Sequence, residues 1–176
     1  MAELTELTHH RWNLRVLAAL HARGGGAKFV TLTHDLGCGR SALSASLSHL
    51  VERQWIERSQ GVAHPLRPEY RLARGAATTA GTCALVAKLL RRWDCERLGY
   101  QKWTLPVVAA TGNTRESFND LKRRLTPITA RALTLTLKSL QEHAWVIRRV
   151  KDRYPPSSAY ELSGRGLQLQ RTLADL

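Results

Sequence analysis

The sequence predicts a mainly α-helical fold with small paired strands (α+β), and it predicts that this fold occurs twice in one chain. The first observation is an internal repeat of about 90 residues within a chain of 176. The second is the order of elements in each half, where leucines at helical spacing are followed by two short strand-like segments. The third is a basic composition, with 27 lysine and arginine residues against 14 acidic ones. These observations indicate two similar domains with basic surfaces.

The repeat is carried by matching tryptophan, leucine, proline and tyrosine positions. Trp12 recurs 91 positions later as Trp103, and Trp55 recurs 90 positions later as Trp145. A repeat of this length is too long for a solenoid unit and has about the size of one small domain. Two similar domains in one chain predict two similar binding surfaces that are fixed relative to each other. We call this arrangement an intramolecular pseudo-dimer.

The internal repeat places the domain boundaries. We expect a divergent first domain over residues 1–76 and a second domain over residues 99–176. Between them, residues 77–98 contain good helix formers and place Leu85 and Trp93 near one face, which predicts a connecting helix suited to pairing domains. Whether two chains pair again, as a homodimer of pseudo-dimers, is left open by the sequence.

The formal net charge of +13 favours a polyanionic partner, and nucleic acid is the commonest candidate. No apolar run approaches the roughly 18 residues of a transmembrane helix, so no membrane partner is expected. Cys38, Cys83 and Cys95 give neither a paired framework nor a CxxC zinc spacing, which fits a reducing cytosol. No nucleophile–base pair and no metal-ligand spacing is present, so we expect no enzyme, no cofactor and no metal.

Each half follows the order helix, helix, tight turn, helix and two-stranded wing, which is the order of a winged helix-turn-helix domain. The tight turn contains Gly37 and Gly39 in the first half and Pro127 in the second. The third helix begins after a plausible N-cap, Ser41 or Thr129. The fold class is therefore mainly α with small β wings, as two tandem winged helix-turn-helix domains that form a pseudo-dimer.

The third helix of such a domain buries one face and presents a small polar face to the major groove. A polar stripe is usually only the solvated face of an amphipathic helix, but its position after the helix-turn-helix turn favours DNA contact. The candidate DNA-binding residues on these faces are Arg40, Ser41, Ser44 and Ser48 in the first domain and Thr129, Arg131, Thr134 and Lys138 in the second. The candidates around the second wing, expected beside phosphates, are Arg148, Arg149, Lys151 and Arg153.

The second half, from about Lys102 to Leu169, resembles the HxlR family of bacterial transcriptional regulators. The segments that carry the resemblance are residues 102–105, 115–121, 128–134, 137–140 and 155–162. The resemblance implies a DNA-binding dimer whose recognition helix here spans roughly Thr129 to Glu142. The first half is a weaker member, with an inserted run of three glycines and a less basic wing.

We therefore expect a cytoplasmic, sequence-specific regulator that binds double-stranded DNA, acting as a repressor. Because its two recognition faces differ, the operator should be an imperfect palindrome. Two alternatives stay open: a winged-helix adaptor that binds other proteins, and an effector-responsive regulator with a small molecule in a cleft beside Trp93. Cys83 and Cys95 are interpreted as ordinary small hydrophobes, and a redox role for either is left open.

Overall fold

The computed structural model describes residues 1–59, 68–112, 115–151 and 157–176. The chain forms two compact units, one of which combines the first residues of the chain with its second half. The N-terminal unit contains residues His9–Asp94 and Asp175, and the C-terminal unit contains Met1–Thr8, Cys95–Ala174 and Leu176. The first eight residues therefore belong to the unit that the second half of the chain builds.

Both units consist of helices around a small sheet. The chain begins with α1 (Ala2–Leu7), which lies in the C-terminal unit. The elements of the N-terminal unit are α2 (Asn13–Ala22), β1 (Gly26–Lys28), α3 (Phe29–Leu36), α4 (Arg40–Glu52), β2 (Ile56–Ser59), β3 (Glu69–Leu72) and α5 (Ala77–Arg92). The remaining elements of the C-terminal unit are α6 (Glu96–Gly99), α7 (Thr104–Ala110), β4 (Glu116–Ser117), α8 (Phe118–Arg124), α9 (Ala130–Glu142), β5 (Val146–Lys151), β6 (Ser157–Leu162) and α10 (Gly164–Leu173).

The repeat is visible in the backbone at the end of each third helix. Gln54 and Ala144, which are 90 positions apart, both adopt positive φ angles, of 58° and 55°. The tryptophan that follows each of them donates its backbone N–H to the backbone carbonyl of a buried leucine near the end of the preceding helix. These bonds join Trp55 to Leu50 at 3.0 Å and Trp145 to Leu140 at 2.8 Å. The left-handed residue thus turns the chain from the helix into the wing in both units.

Each wing belongs to a three-stranded antiparallel sheet, where the sequence predicted a strand pair. The sheet orders are β1-β3-β2 and β4-β6-β5, so the last strand in sequence is central in each. The additional strand is short and pairs through Ala27 with Tyr70 in one unit and through Glu116 with Tyr160 in the other. A strand of two or three residues is too short to show an alternating pattern, which is why the sequence did not indicate it.

The leucine spacing correctly predicted the core of the third helices. Leu43, Leu47 and Leu50 are buried on α4, and the matching residues of α9 are buried likewise. In the N-terminal unit α2 contacts α3, α4 and α5, and in the C-terminal unit α7 contacts α1, α8, α9 and α10. Helix α4 is therefore held on one face by α2, and α9 is held on one face by α7.

Two local expectations were wrong, and one helix was not predicted. The predicted helix over residues 77–98 ends at Arg92, because Asp94 adopts the left-handed conformation (φ 53°) and separates α5 from α6. The N-cap of α4 is Gly39 rather than Ser41, which lies within the first turn. The sequence also gave no sign of α1, whose Leu4 and Leu7 are buried.

No helix within the described ranges combines the length and the apolar character needed to cross a membrane.

Candidate nucleic-acid interface

The outer face of α9 carries an exposed stripe at one side of the helix. Arg131, Thr134, Leu135 and Lys138 are exposed at positions i, i+3, i+4 and i+7. The opposite face is buried through leucines of the same helix. Because the inner face is held by the core, the stripe faces solvent with a fixed orientation. The sequence predicted three of these four residues and missed Leu135.

The start of α9 is fixed by Thr129. Its Oγ1 accepts a hydrogen bond of 3.1 Å from the backbone N–H of Ala132, which confirms the predicted N-cap. The bond satisfies one of the helix's four unpaired amides. Thr129 is itself exposed, so the side chain that begins the helix also lies at the end of the stripe.

The polar side chains of the stripe differ in how they are held. Within the described part of the chain, Arg131 makes no ion pair or hydrogen bond. Lys138 Nζ lies 3.9 Å from Glu142 Oε1, an exposed pair of a kind that contributes little. Thr134 Oγ1 donates to the carbonyl of Ala130 at 2.9 Å, so its proton is used within the helix. Two cations therefore stand at the two ends of the stripe, available to an anionic partner.

The corresponding face of α4 is less basic. Arg40, Ser41, Ser44 and Ser48 are all exposed there, as the sequence predicted. The guanidinium of Arg40 lies 5.9 Å from the ring centre of Phe29 at the start of α3. This face carries one cation and three hydroxyls, which suits hydrogen bonding to base edges and phosphates but gives a weaker electrostatic attraction.

The C-terminal wing carries two described arginines with unlike partners. Arg148 donates to the hydroxyl of Ser158 at 2.8 and 2.9 Å, and so keeps its net charge. Arg149 donates to Glu161 at 2.8 Å, and Arg115 donates to the same carboxylate at 3.1 Å. These two bonds hold the pKa of Glu161 below its ordinary value, with that from Arg149 the larger cause. The side chain of Lys151 and the whole of Arg153 lie outside the described residues.

In the N-terminal wing, two charged residues of strand β3 form a pair with each other. Arg71 donates to Glu69 at 3.0 and 3.2 Å within strand β3. Arg58, the counterpart of Arg148, is exposed on β2. The wing strands β2 and β3 carry two arginines and two glutamates, whereas β5 and β6 carry three basic residues and one glutamate, in agreement with the less basic wing that the sequence indicated.

The two units thus share one architecture, in which a first helix supports a helix-turn-helix pair and a small sheet follows. The model of the HxlR-like helix-turn-helix family matches residues 7–94 and, a second time, residues 98–176. The chain belongs to the HxlR-like helix-turn-helix family. This confirms the resemblance inferred for the second half and the weaker membership inferred for the first. Proteins of this kind are DNA-binding transcription regulators.

Several solved structures are similar to parts of this HxlR-like chain. A transcriptional regulator assigned to the MarR family from Porphyromonas gingivalis W83 is 21% identical with a TM-score of 0.44, covering 46% of this chain and 78% of its own. The reduced form of the transcriptional regulator YodB from B. subtilis is 20% identical with a TM-score of 0.43, covering 47% and 81%. A possible HxlR family transcriptional factor from Thermoplasma volcanium GSS1 is 25% identical with a TM-score of 0.40, covering 44% and 70%. No curated protein matches the chain.

Helix α8 of the HxlR-like C-terminal unit adds a basic end that the sequence analysis did not single out. Its last turn contains Lys122, Arg123 and Arg124. Arg123 is paired with Asp120 at 2.7 Å, and Arg124 is paired with the buried Glu116 at 2.9 Å. Lys122 is exposed, and it adds positive charge to the helix that precedes the candidate recognition helix.

The remaining candidate features of the HxlR-like chain are buried thiols and one cavity. Cys38, Cys83 and Cys95 are buried thiols, and burial raises the pKa of Cys38. Among the described residues no group of side chains could hold a metal ion. A cavity of about 550 Å³ lies in the C-terminal unit, and Trp93, beside which the sequence predicted an effector cleft, is not among its lining residues. Its lining residues are Met1, Leu4, Ala109, Gly112, Gln170, Arg171, Leu173, Ala174 and Leu176.

Proposed function

We propose that this HxlR-like chain is a sequence-specific regulator that binds double-stranded DNA through α4 and α9. The observation that carries the proposal is the exposed stripe of α9, where Arg131 and Lys138 flank smaller side chains on a helix fixed by its buried leucines. A helix in the major groove needs this combination, because polar tips must reach base edges while the opposite face stays packed.

The side chains have different proposed roles. Arg131, near the start of α9, is suited to a bidentate contact with guanine, since arginine prefers the guanine O6 and N7 acceptors. Lys138 and Arg148 are suited to phosphates, which attract exposed cations irrespective of sequence. Thr129, Thr134, Ser41, Ser44 and Ser48 supply hydroxyls for base edges or phosphates, and Arg40 is the base-reading candidate of α4. The wing residues Arg149, Lys151 and Arg153 are further candidates for phosphate contact.

Two unlike recognition faces imply two unlike half-sites. The stripe of α9 carries Arg131 and Lys138, whereas the face of α4 carries only Arg40 with hydroxyls. We expect an imperfect palindrome in which the half-site bound by the C-terminal unit contributes more affinity. In this proposal the two units act as an intramolecular pseudo-dimer, and pairing of two chains would double the number of half-sites.

Repression is the proposed sign of regulation. Blocking a promoter requires only tight occupancy of the duplex, and two helix-turn-helix units matched over residues 7–94 and 98–176 can supply it. Activation would need a contact with the transcription machinery in addition. A promoter-reporter assay with and without the chain distinguishes the two signs.

Duplex titration tests the proposed function. Fluorescence polarisation would compare the full chain on its own upstream region and on a scrambled duplex, at two salt concentrations. We expect tighter binding to the upstream duplex, weakening with salt as phosphate contacts release counterions. Equal weak binding to both duplexes would contradict the proposal and would favour a winged-helix adaptor that binds proteins.

A second candidate function, response to a small effector, is favoured by the cavity of the C-terminal unit. Its walls are formed by apolar residues of α1, α7 and α10, and Arg171 and Gln170 supply the polar groups. An amphipathic carboxylate fits this combination of an apolar lining and a guanidinium. Octanoate should raise the thermal unfolding temperature of the wild type more than that of Arg171→Gln, and an equal effect on both would contradict this assignment.

A further inference from the structure

One large apolar side chain stands exposed in the middle of the candidate recognition surface. Leu135 has 55% of its surface exposed and lies between the two cations of the α9 stripe. Its neighbour Thr134 uses its hydroxyl proton on the carbonyl of Ala130. The centre of the stripe is therefore poor in hydrogen-bond donors and rich in aliphatic surface, while its ends are cationic.

An apolar contact in the major groove has one chemical counterpart. Of the four bases, only thymine presents a methyl group there, at C5, whereas the other base edges present donors and acceptors. A leucine held between Arg131 and Lys138 would be brought to the groove floor by the same contacts that place those cations. There the thymine methyl offers it more apolar surface than any other base edge does.

The N-terminal unit lacks this feature. The position matching Leu135, 90 residues earlier, is Ala45 on α4, and the side chains around it are serines. An alanine is too short to reach as far as a leucine from the same helix position. The two units should therefore differ in methyl recognition as well as in charge.

We infer that Leu135 is a specificity-determining residue that reads the C5-methyl group of thymine in the half-site bound by α9. This inference rests on the proposed DNA-binding function and specifies the base that the centre of α9 selects. The guanidinium of Arg131 sets the register, and the methyl contact discriminates thymine from cytosine and from uracil at one base pair.

The test removes the methyl group from the DNA and the leucine side chain from the protein, first separately and then together. The preferred duplex of the full chain is first selected from a random pool. Each thymine in it is then replaced by deoxyuridine, which keeps every hydrogen bond and lacks only the methyl group. Affinities of the wild type and Leu135→Ala are measured on each duplex, and the thymines at which deoxyuridine leaves the wild-type affinity unchanged serve as the internal control.

For the wild type, deoxyuridine at one position should weaken binding by about fourfold, the effect of losing one buried methyl-sized group. Leu135→Ala should bind the thymine duplex at least fourfold more weakly and should lose nothing further on deoxyuridine. Equal sensitivity of the wild type and Leu135→Ala to every deoxyuridine overturns the inference while leaving DNA binding intact. Selection that enriches no sequence overturns the proposed function itself, and the inference with it.

Discussion

Glu161 on the central strand of the C-terminal sheet accepts a hydrogen bond of 2.8 Å from Arg149 on the neighbouring strand β5. A second bond of 3.1 Å reaches the same carboxylate from Arg115, just before β4. One negative charge is thus held between two guanidinium groups at a wing proposed to lie beside DNA. The matching residue of the N-terminal unit is Arg71, so the two sheets place opposite charges at this position.

Glu161→Gln should strengthen binding to all duplexes alike, because it removes a negative charge beside proposed phosphate contacts and releases Arg149. We expect the slope of log affinity against log salt to become steeper by about 1, as for one added phosphate contact. Polarisation titrations over a range of salt concentrations measure this slope. Glu3→Gln is the matched control, since it changes the same charge on the exposed face of α1. An unchanged slope for Glu161→Gln would argue against DNA contact by this wing.

The same ion pair should make the free energy of unfolding of the C-terminal unit depend on pH in the acidic range. The pKa of Glu161 is lowered in the folded chain from its ordinary value of 4.5, first by Arg149 and then by Arg115. Because the unfolded chain takes up this proton more readily, the contribution to stability is present above about pH 4.5 and is lost as the pH falls through the lower folded pKa. Urea unfolding of the wild type and Glu161→Gln should therefore differ at neutral pH and converge in acid. A difference that persists unchanged in acid would exclude the ionised pair as its cause.

Arg131→Ala should relax specificity at one half-site. If Arg131 reads a guanine, its loss costs about 1–3 kcal/mol on the preferred duplex and little on a duplex already altered at that base. Lys138→Ala is the matched comparison on the same stripe, and it should weaken binding to all sequences together. Titration of both variants against the preferred duplex and single-base variants distinguishes base reading from phosphate contact. An Arg131→Ala chain with unchanged affinity and unchanged specificity would mean that α9 is not the recognition helix.

The sequence predicted those parts of the fold that depend on local patterns. Leucines at helical spacing identified α4 and α9, and Thr129 identified the start of α9. The contribution of α1 to the C-terminal unit was not predictable, because its buried leucines contact a helix about 100 residues away in the chain. Ser41 was predicted as the N-cap of α4 because serine is favoured there, but Gly39, which has an extended backbone, is the N-cap.

The candidate site was predictable only as far as it depends on position in the motif. The exposed cations of α9 follow from helical periodicity once the turn before it is recognised. The pairing of Arg149 with Glu161 follows from strand register, which the sequence did not fix. Leu135 lies at i+4 from Arg131, so helical periodicity puts it on the same outer face, but the expectation of a wholly polar recognition face left a leucine out.

The contact between Gly166 and Trp145 gives a sharp test of the C-terminal packing. A Cβ built on Gly166 would overlap the backbone carbonyl oxygen of Trp145, which is fully buried, and would also press on Leu162. Gly166→Ala should therefore destabilise the C-terminal unit by about 1–3 kcal/mol, the usual cost of overpacking a fixed backbone. Two residues earlier in α10, a Cβ on Gly164 would meet nothing within 4 Å.

Gly164→Ala is consequently the matched control. It should leave stability unchanged or raise it by up to about 1 kcal/mol, because alanine restricts the unfolded chain more than glycine does. Urea unfolding followed by tryptophan fluorescence measures both variants, and Trp145 itself reports on the site. If Gly166→Ala were as stable as Gly164→Ala, α10 would not press against the turn into β5. The alanine variant at 166 should also weaken duplex binding, since that turn sets where α9 ends and the wing begins.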